Sequence, residues 1–160
     1  MARKKPAKSA DGTKLIAQNR RARFDYFLED SHEAGIVLTG TEVKSMRAGK
    51  ASLAEAWVKL DQRGEAWLMQ AHIEEYEFGN RNNHDPVRPR KLLLHRGELL
   101  KLKHATRELG TTMVPIRMYF RDGKAKLEFA VGVGKQTHDK RQDLKTKQAS
   151  RDMARALRPR

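Results

Sequence analysis

The chain contains no cysteine among its 160 residues. This absence excludes disulfide frameworks, thiolate zinc sites, iron–sulfur clusters and thiol nucleophiles, and it fits the reducing cytoplasm, where we expect the protein to act. No run approaches the roughly 18 apolar residues that a membrane-spanning helix needs. The charged N-terminus leads into no apolar segment, so we expect neither a secretory signal nor a membrane partner.

Aromatic residues are also scarce, and acidic residues are outnumbered by basic ones. Aromatics make up 6% and hydrophobic residues 38% of the chain, and 20 acidic residues stand against 34 basic ones, for a net charge of +14. The length fits one domain, while the lean apolar content indicates that part of the chain lies outside the core. This positive charge favours a polyanionic partner, above all nucleic acid, over a merely basic surface.

The charge is distributed unevenly along the chain. Residues 1–23 carry +7, residues 24–79 carry −6, residues 80–134 carry +7 and residues 135–160 carry +6. We therefore expect a flexible basic arm over residues 1–18, a folded body over 19–134 and a basic tail over 135–160. The tail has too few apolar residues to order itself in water, so we expect it to be disordered when free and able to fold against an anion.

The body shows mostly strand patterns. Strands are expected at 24–28, 34–38, 57–60, 65–69, 91–95, 116–120 and 125–133. Helices are expected at 39–47 and 96–109, and Pro115 should lie at an edge or a bulge. Short antiparallel strands with two or three short helices predict a mainly β fold, a small barrel of the oligonucleotide-binding type.

Catalytic signals are weak. His84 and Asp85 in the long loop 77–90 could serve a metal-dependent nuclease, but no second carboxylate is nearby and adjacent extended residues point apart. The alternative, that both residues order the loop before Pro86, is favoured. Gly132–Lys135 lacks the spacing of a phosphate loop, and no serine is flanked as Gly-x-Ser-x-Gly. We therefore predict no catalytic residue, no metal site and no cofactor.

Binding chemistry is better supplied, because cations, amides and an imidazole recur near the predicted strands. They are Asn19, Arg20, Arg21, Arg23, Lys44, Arg47, Lys50, Asn80, Arg81, Asn82, Asn83, Arg88, Arg90, Lys91 and His95. Cations contact phosphates, and amides and imidazole reach base edges or 2′-hydroxyls, which suits folded RNA. Glu33 is an acid among them, and it either orients an arginine or accepts a hydrogen bond from a base amino group.

Four segments of the chain resemble the SsrA-binding protein family, also called small protein B. They are Asn19–Phe27 (NRRARFDYF), Glu33–Ser45 (EAGIVLTGTEVKS), Asp85–His95 (DPVRPRKLLLH) and Gly134–Arg141 (GKQTHDKR). The resemblance implies a bacterial, non-catalytic protein with a barrel of the oligonucleotide-binding kind. It implies binding to the tRNA-like domain of transfer-messenger RNA (tmRNA), and delivery of that RNA to stalled ribosomes for trans-translation.

The resemblance also implies roles for individual residues. Binding by the body should depend on Glu33, Leu93 and His95, although Leu93 could instead be a core strand residue. The wider set implied for the body is Asn19, Arg20, Arg21, Arg23, Lys44, Arg47, Arg90 and Lys91. The set implied for the tail at the ribosome is Lys135, His138, Asp139, Lys140, Arg141, Lys145 and Lys147. Gln136 departs from the family, which often has a second lysine there.

The partners implied are tmRNA, the small-subunit decoding centre and empty messenger channel of the ribosome, and elongation factor Tu within the delivered complex. The tail is expected to fold as a helix on the ribosome, and the protein is expected to be a monomer. One alternative stays open from the residues alone, a general RNA-binding or ribosomal protein with a basic tail. A nuclease that uses His84 and Asp85 is the other.

Overall fold

The computed structural model describes residues 12–157 of the chain. The strands are β1 Thr13–Gln18, β2 Tyr26–Ile36, β3 Ala51–Ser52, β4 Trp57–Leu60, β5 Ala66–Met69, β6 His72–Ile73, β7 Arg90–Leu93, β8 Thr111–Arg121 and β9 Lys124–Gly134. The helices are α1 Ala22–Asp25, α2 Gly40–Arg47, α3 Arg96–Ala105 and α4 Thr137–Ala156, with a 3-10 turn at Asn80–Asn82.

Six of the strands close into an antiparallel barrel. Their order is β4–β5–β7–β2–β9–β8, and β8 pairs again with β4, while β1 adds to the second half of β8. The short pair β3–β6 lies outside this ring. Closure leaves no free sheet edge in the ring, and the predicted small β-barrel is confirmed.

The barrel core is filled by alternate side chains of the strands and sealed by two helices. Val58, Leu68 and Leu127 are almost fully buried, as are Met46 from α2 and Leu102 from α3. Strand periodicity places successive side chains on opposite faces, so each strand supplies one apolar row to the core and one row to the outside. Of the candidate binding residues, Glu33, Lys91 and Leu93 lie in this outer row.

The β8–β9 hairpin forms as the sequence predicts. Asp122 and Gly123 both have positive φ, at 50° and 75°, as a two-residue type I′ turn requires. Pro115 lies at a register shift between β8 and β9, so the predicted bulge is confirmed.

Two expectations about the first strands are corrected. β2 is one strand of 11 residues and not two, because a bulge between Leu28 and Ser31 carries the exposed Glu29 and Asp30 without breaking the pairing. Residues Thr13–Gln18, assigned to the flexible arm, form β1 on β8, where Ala17 is buried and Ile16 packs against the core. Residues 1–11 of that arm lie outside the described residues.

The third helix is shorter than predicted. α3 ends at Ala105, and Leu109, expected on its apolar face, is fully exposed. The last helical bond runs from the N–H of Thr106, the C-cap, to the Leu102 carbonyl, and the chain turns toward β8 at Gly110, which takes a φ of +84°. The structure describes the tail from Thr137 to Ala156 as the helix α4, and the disorder expected for the free tail stays a prediction.

Candidate nucleic-acid interface

Three residues that the sequence analysis assigned to RNA binding line one groove on the barrel surface. Glu33 comes from β2, Leu93 from the end of β7, and His95 from the residue before α3. The groove has a volume of about 710 Å³, and Lys124 and Lys126 from β9 also line it. An acceptor, an apolar side chain, an imidazole and two cations therefore share one surface.

Leu93 lies on the outer face of its strand. The neighbouring Leu92 is 3% exposed and points into the core, whereas Leu93 is 56% exposed. Leu93 is opposite Gly35 on β2, and a Cβ atom at Gly35 would come within 3.4 Å of the Leu93 Cβ. The core alternative for Leu93 is therefore wrong, and the missing side chain of Gly35 leaves room for Leu93 to lie over β2.

Glu33 is held by three neighbours from β8 and β9. The Tyr119 hydroxyl donates a hydrogen bond to Oε2, Arg121 Nη1 is 3.0 Å from the same oxygen, and Lys126 Nζ is 3.5 Å from Oε1. The hydrogen bond from Tyr119 and the charges of Arg121 and Lys126 hold the pKa of the Glu33 carboxyl below its usual range, against the opposing effect of burial. The salt-bridge alternative for Glu33 is thus realised with Arg121.

The phenol of Tyr119 is suited to remain a donor. Burial raises its pKa to about 12, and the hydrogen bond to Glu33 acts in the same direction. The guanidinium carbons of Arg117 and Arg121 lie 5.3 and 5.6 Å from the ring centroid. Glu33 is therefore an anion with a fixed direction.

His95 is positioned by the helix that follows it. It is the residue before the first turn of α3, and its backbone N–H donates to Glu98 Oε2 at 3.0 Å. This bond fixes the backbone, and the exposed imidazole lines the groove. The ring can offer a donor or an acceptor to RNA.

The groove cations Lys124 and Lys126 were missed by the sequence analysis. Both lie on β9, where they alternate with Ala125 and Leu127, and Lys126 is opposite Gly35 of β2. The alternation was visible in the sequence. Their proximity to Glu33 was not, because it depends on the register between β2 and β9.

The basic residues around α1 form a separate surface. Arg20, Arg21 and Arg23 are exposed, and the Asn19 side chain accepts a hydrogen bond from the Arg21 N–H at 3.2 Å. Asn19 and Arg21 line a second depression of about 420 Å³ that also includes Trp57. Asn19 and Arg21 therefore line a different depression from the groove that Glu33 lines.

The candidates on α2 and β7 have neighbours within the protein. Lys44 Nζ is 5.2 Å from the centroid of the Tyr76 ring, and Arg47 is exposed at the end of α2. Lys91 is half-exposed and pairs at 2.7 Å with Glu65, the residue before β5. These cations can reach a phosphate without leaving a buried partner unpaired.

Arg90 is fully buried, contrary to its predicted role as an RNA contact. Its Nε is 2.8 Å from Glu42 Oε1, and its other nitrogens donate to the carbonyls of Ala71 and Pro86 at 2.6 and 3.1 Å. Arg88 forms a bidentate pair with the same carboxylate at 2.8 and 2.6 Å. Arg90 therefore holds the loop before β7 and cannot contact RNA directly in this fold.

Burial opposes ionisation of Glu42, but other contacts outweigh it. Hydrogen bonds from Arg88, the Thr39 N–H and Arg90, together with the Arg90 charge, hold the pKa of Glu42 below its usual value. The sequence analysis assigned Glu42 to the helix dipole, and the Thr39 bond at 2.8 Å agrees with that position. Nothing in the local sequence identified its two arginine partners.

His84 and Asp85 order the long loop. His84 Nε2 donates to the Ile73 carbonyl at 3.0 Å, and its Nδ1 is 2.9 Å from the Thr41 hydroxyl. Asp85 accepts a hydrogen bond from the Val87 N–H at 3.0 Å. These are the contacts that the structural interpretation of the pair predicts. Within residues 12–157, no cluster of His, Asp and Glu is arranged to hold a metal ion.

The tail candidates divide into two groups. Lys135 is enclosed, donating to the Arg23 carbonyl at 3.0 Å and to Asp143 at 2.6 Å, and Lys140 pairs with Asp25 at 2.9 Å. The others are at the start of α4 or further along it. His138 Nε2 lies 3.1 Å from Asp139 Oδ1, and Arg141, Lys145 and Lys147 are exposed.

In the described part of the chain, no helix is long and apolar enough to span a membrane.

Comparison with known proteins identifies the family of this chain. The family model described as SmpB protein matches residues 16–159. The chain is 56% identical to the SsrA-binding protein of Thermobifida fusca over 100% of this chain and 99% of the relative. It is 58% identical to the SsrA-binding protein of Acidothermus cellulolyticus over 91% of each chain.

A solved structure agrees with these relatives. It is described as "tmRNA-SmpB: a journey to the center of the bacterial ribosome". It has a TM-score of 0.63 and 44% sequence identity, covering 75% of this chain and 84% of its own. From the residues matched by the family model and the identity to full-length relatives, the chain belongs to the SmpB family of SsrA-binding proteins.

Proposed function

We propose that this chain binds the tRNA-like domain of transfer-messenger RNA and delivers that RNA to stalled ribosomes for trans-translation. It acts in the cytoplasm as a monomer and without catalysis, in a complex that includes elongation factor Tu. The body holds the RNA, and the tail acts in the decoding centre and the empty messenger channel of the small subunit. The nascent chain is then tagged and the ribosome is released.

The groove that gathers Glu33, Leu93 and His95 carries this proposal. Sequence-specific RNA recognition targets unpaired bases, which need an apolar surface against the ring and polar groups at its edge. Leu93 supplies the apolar surface, and Glu33 supplies a fixed acceptor for an amino group or a 2′-hydroxyl. Lys124 and Lys126 line the same groove and can contact the adjoining phosphates.

The relatives support the identity of the RNA. The proteins from Thermobifida fusca and Acidothermus cellulolyticus are named SsrA-binding proteins, and the matching solved structure is described with tmRNA and the bacterial ribosome. The general RNA-binding alternative shares the charge of this chain but does not account for this family membership.

The character of the tail supports a second polyanionic partner. Residues 135–160 carry a net charge of +6, and residues 141–157 are exposed throughout. An exposed cationic helix without an apolar face against the body fits a channel lined by phosphates. The basic body and the basic tail thus suit two different polyanionic partners.

Competition binding tests the proposal. Labelled tmRNA bound to the full chain is challenged with unlabelled tmRNA or with unlabelled transfer RNA at two salt concentrations. We expect tmRNA to compete at much lower concentration, and affinity to fall by about 0.7 to 0.9 log units per neutralised phosphate for each tenfold rise in salt. Equal competition by the two RNAs would support the general RNA-binding alternative.

A matched pair of variants locates the interaction. Glu33→Gln keeps the size of the side chain but removes its charge, and Glu108→Gln makes the same change at an exposed position outside both the groove and the depression beside α1. We expect Glu33→Gln to weaken tmRNA binding by about tenfold, since a well-placed polar contact to a base contributes about 1–3 kcal/mol. Glu108→Gln should bind like the parent chain.

A further inference from the structure

The base of the tail, from Lys135 to the first turn of α4, contacts α1. The Lys135 backbone N–H donates to the Asp25 carbonyl at 2.8 Å, directly after the last pair of the β2–β9 ladder, Tyr26 with Gly134. The Lys135 side chain is 9% exposed, and its Nζ donates to the Arg23 carbonyl at 3.0 Å. The tail therefore begins at a position set by the barrel and by α1 together.

A charged pair makes the second attachment. Lys140 Nζ is 2.9 Å from Asp25 Oδ1, and both side chains are only partly exposed, at 34% and 24%. Lys140 lies one turn into α4, so this contact constrains the direction of the helix and not merely its starting point. A helix held at its first residue alone could swing about that residue.

Two aromatic rings of the α1 region complete the contact surface. Lys135 Nζ is 4.8 Å from the centroid of Phe27, and Lys140 Nζ is 5.9 Å from the centroid of Phe24. Cations at such distances from a ring face are attracted to it. Each lysine of the tail base thus has both an oxygen partner and an aromatic partner on the body.

The rest of α4 has no such support. Every residue from 141 to 157 is exposed, including the apolar Leu144 and Met153 at 54% and 69%. With no packing on the body, the direction of the helix depends on the contacts at its base. Two ion pairs act there: Asp25 of α1 pairs with Lys140, and Lys135 pairs with Asp143 one turn further along α4.

We propose that Asp25 is a positioning residue for the tail, and that its ion pair with Lys140 sets the direction in which α4 leaves the barrel. Asp25 also lies 3.5 Å from Arg21 Nε, a cation of the surface assigned to RNA. One carboxylate thus joins the RNA-binding body to the tail that acts at the ribosome. Lys140 works within the protein in this arrangement, as a partner of Asp25.

The distance between body and tail tests this role. Because the chain has no cysteine, two introduced at Lys59 on β4 and at Leu144 on α4 can carry spin labels without background. Pulsed dipolar spectroscopy of the full chain then gives the distribution of distances between the two labels, whose width reflects the spread of α4 orientations relative to the barrel. We expect one narrow population in the parent chain and, in Asp25→Asn, a docked-to-undocked ratio lowered about two- to fivefold, the range for partly exposed ion pairs.

Two further variants decide whether the ion pair is responsible. The charge exchange Asp25→Lys with Lys140→Asp should restore the narrow population, and a change that merely damaged the fold would not be restored by it. Asp152→Asn removes the same charge from the far part of α4, where Asp152 accepts a hydrogen bond from Gln148 within the helix, and should change nothing. A broad distribution in the parent chain, no change in Asp25→Asn, or no restoration on exchange would overturn the proposal.

The consequence for tagging rests on the proposed function. At saturating tmRNA, Asp25→Asn should lower the yield of tagged nascent chain on stalled ribosomes, and the charge exchange should recover it. Different results would contradict the proposed function and the positioning role of Asp25. A parent chain that does not bind tmRNA would contradict the proposed function, whereas a distance distribution indifferent to Asp25 would contradict the positioning role alone.

Discussion

Tyr119 on β8 donates its hydroxyl hydrogen to Glu33 on β2, across the intervening strand β9. Tyr119 is paired in register with Lys126, and Lys126 is paired with Gly35, two residues beyond Glu33. The three strands thus place a phenol, an ammonium and a carboxylate on the same outer face. The groove that we assign to RNA recognition owes the fixed position of its Glu33 carboxylate to this arrangement.

Tyr119→Phe should weaken tmRNA binding about three- to tenfold, because a carboxylate that has lost its orienting donor forfeits part of the roughly 1–3 kcal/mol of a base contact. The free energy of unfolding should fall by about 1.5–3 kcal/mol, the range for a hydrogen bond to a charged group. Fluorescence titration and urea denaturation measure the two effects. Unchanged tmRNA affinity together with lowered stability would show that the hydroxyl supports the fold alone.

The buried ion pairs of Glu42 predict a dependence of stability on pH. Because the folded-state pKa of Glu42 lies below its ordinary value of 4.5, its contribution is fully present above that value and is lost as the pH falls through the folded pKa. Glu33, whose pKa is also lowered, acts in the same direction. We expect the free energy of unfolding to fall less steeply below pH 4.5 in Glu42→Gln than in the parent chain.

At neutral pH the same variant should lose about 3–5 kcal/mol, since Arg90 stays buried without its counter-ion. Glu65→Gln is the control, because its pair with Lys91 is more than one-third exposed on both sides and should contribute less than about 1 kcal/mol. If Glu42→Gln does not fold, Glu42→Gln with Arg90→Met should recover part of the loss. Parallel pH profiles for Glu42→Gln and the parent would contradict the account.

Hydrogen exchange should divide the tail at its base. The Lys135 amide, bonded to the Asp25 carbonyl, should be protected in the free protein. Amides beyond Leu144 should exchange close to the rate of an unstructured chain, since short helices without packing are marginal in water. Exchange resolved by residue in the full chain checks this. Uniform protection as far as Ala156 would contradict the disorder expected for the free tail beyond Leu144.

The sequence predicted those features that depend on local pattern. The β8–β9 hairpin followed from alternation around Asp122 and Gly123, and the α2 start followed from Thr39 and Glu42. Which residues of β7 face the core was harder to predict, because a continuous run of leucines over Leu92–Leu94 does not show which side chain points inward. A strand buried on one face resolves that ambiguity only when its neighbours are known.

The features that the sequence did not predict depend on contacts between distant residues. Arg90 looks like any loop cation until it is placed beside Glu42, 48 positions earlier. Lys140 looks like a ribosome contact until it is placed beside Asp25, 115 positions earlier. In both cases the sequence suggested a contact with RNA or the ribosome, and the partner within the protein depends on the fold.

The division of work between groove and tail is the central claim, and tmRNA affinity and tagging yield measured together test it most directly. Three chains are compared, the parent, Glu33→Gln, and a truncation after Asp143 that keeps the contacts of the tail base. We predict that Glu33→Gln binds tmRNA weakly but regains tagging at high protein concentration. The truncated chain should bind tmRNA within a few-fold of the parent and fail to support tagging at any concentration. Loss of tmRNA affinity on truncation comparable to that of Glu33→Gln would contradict the account.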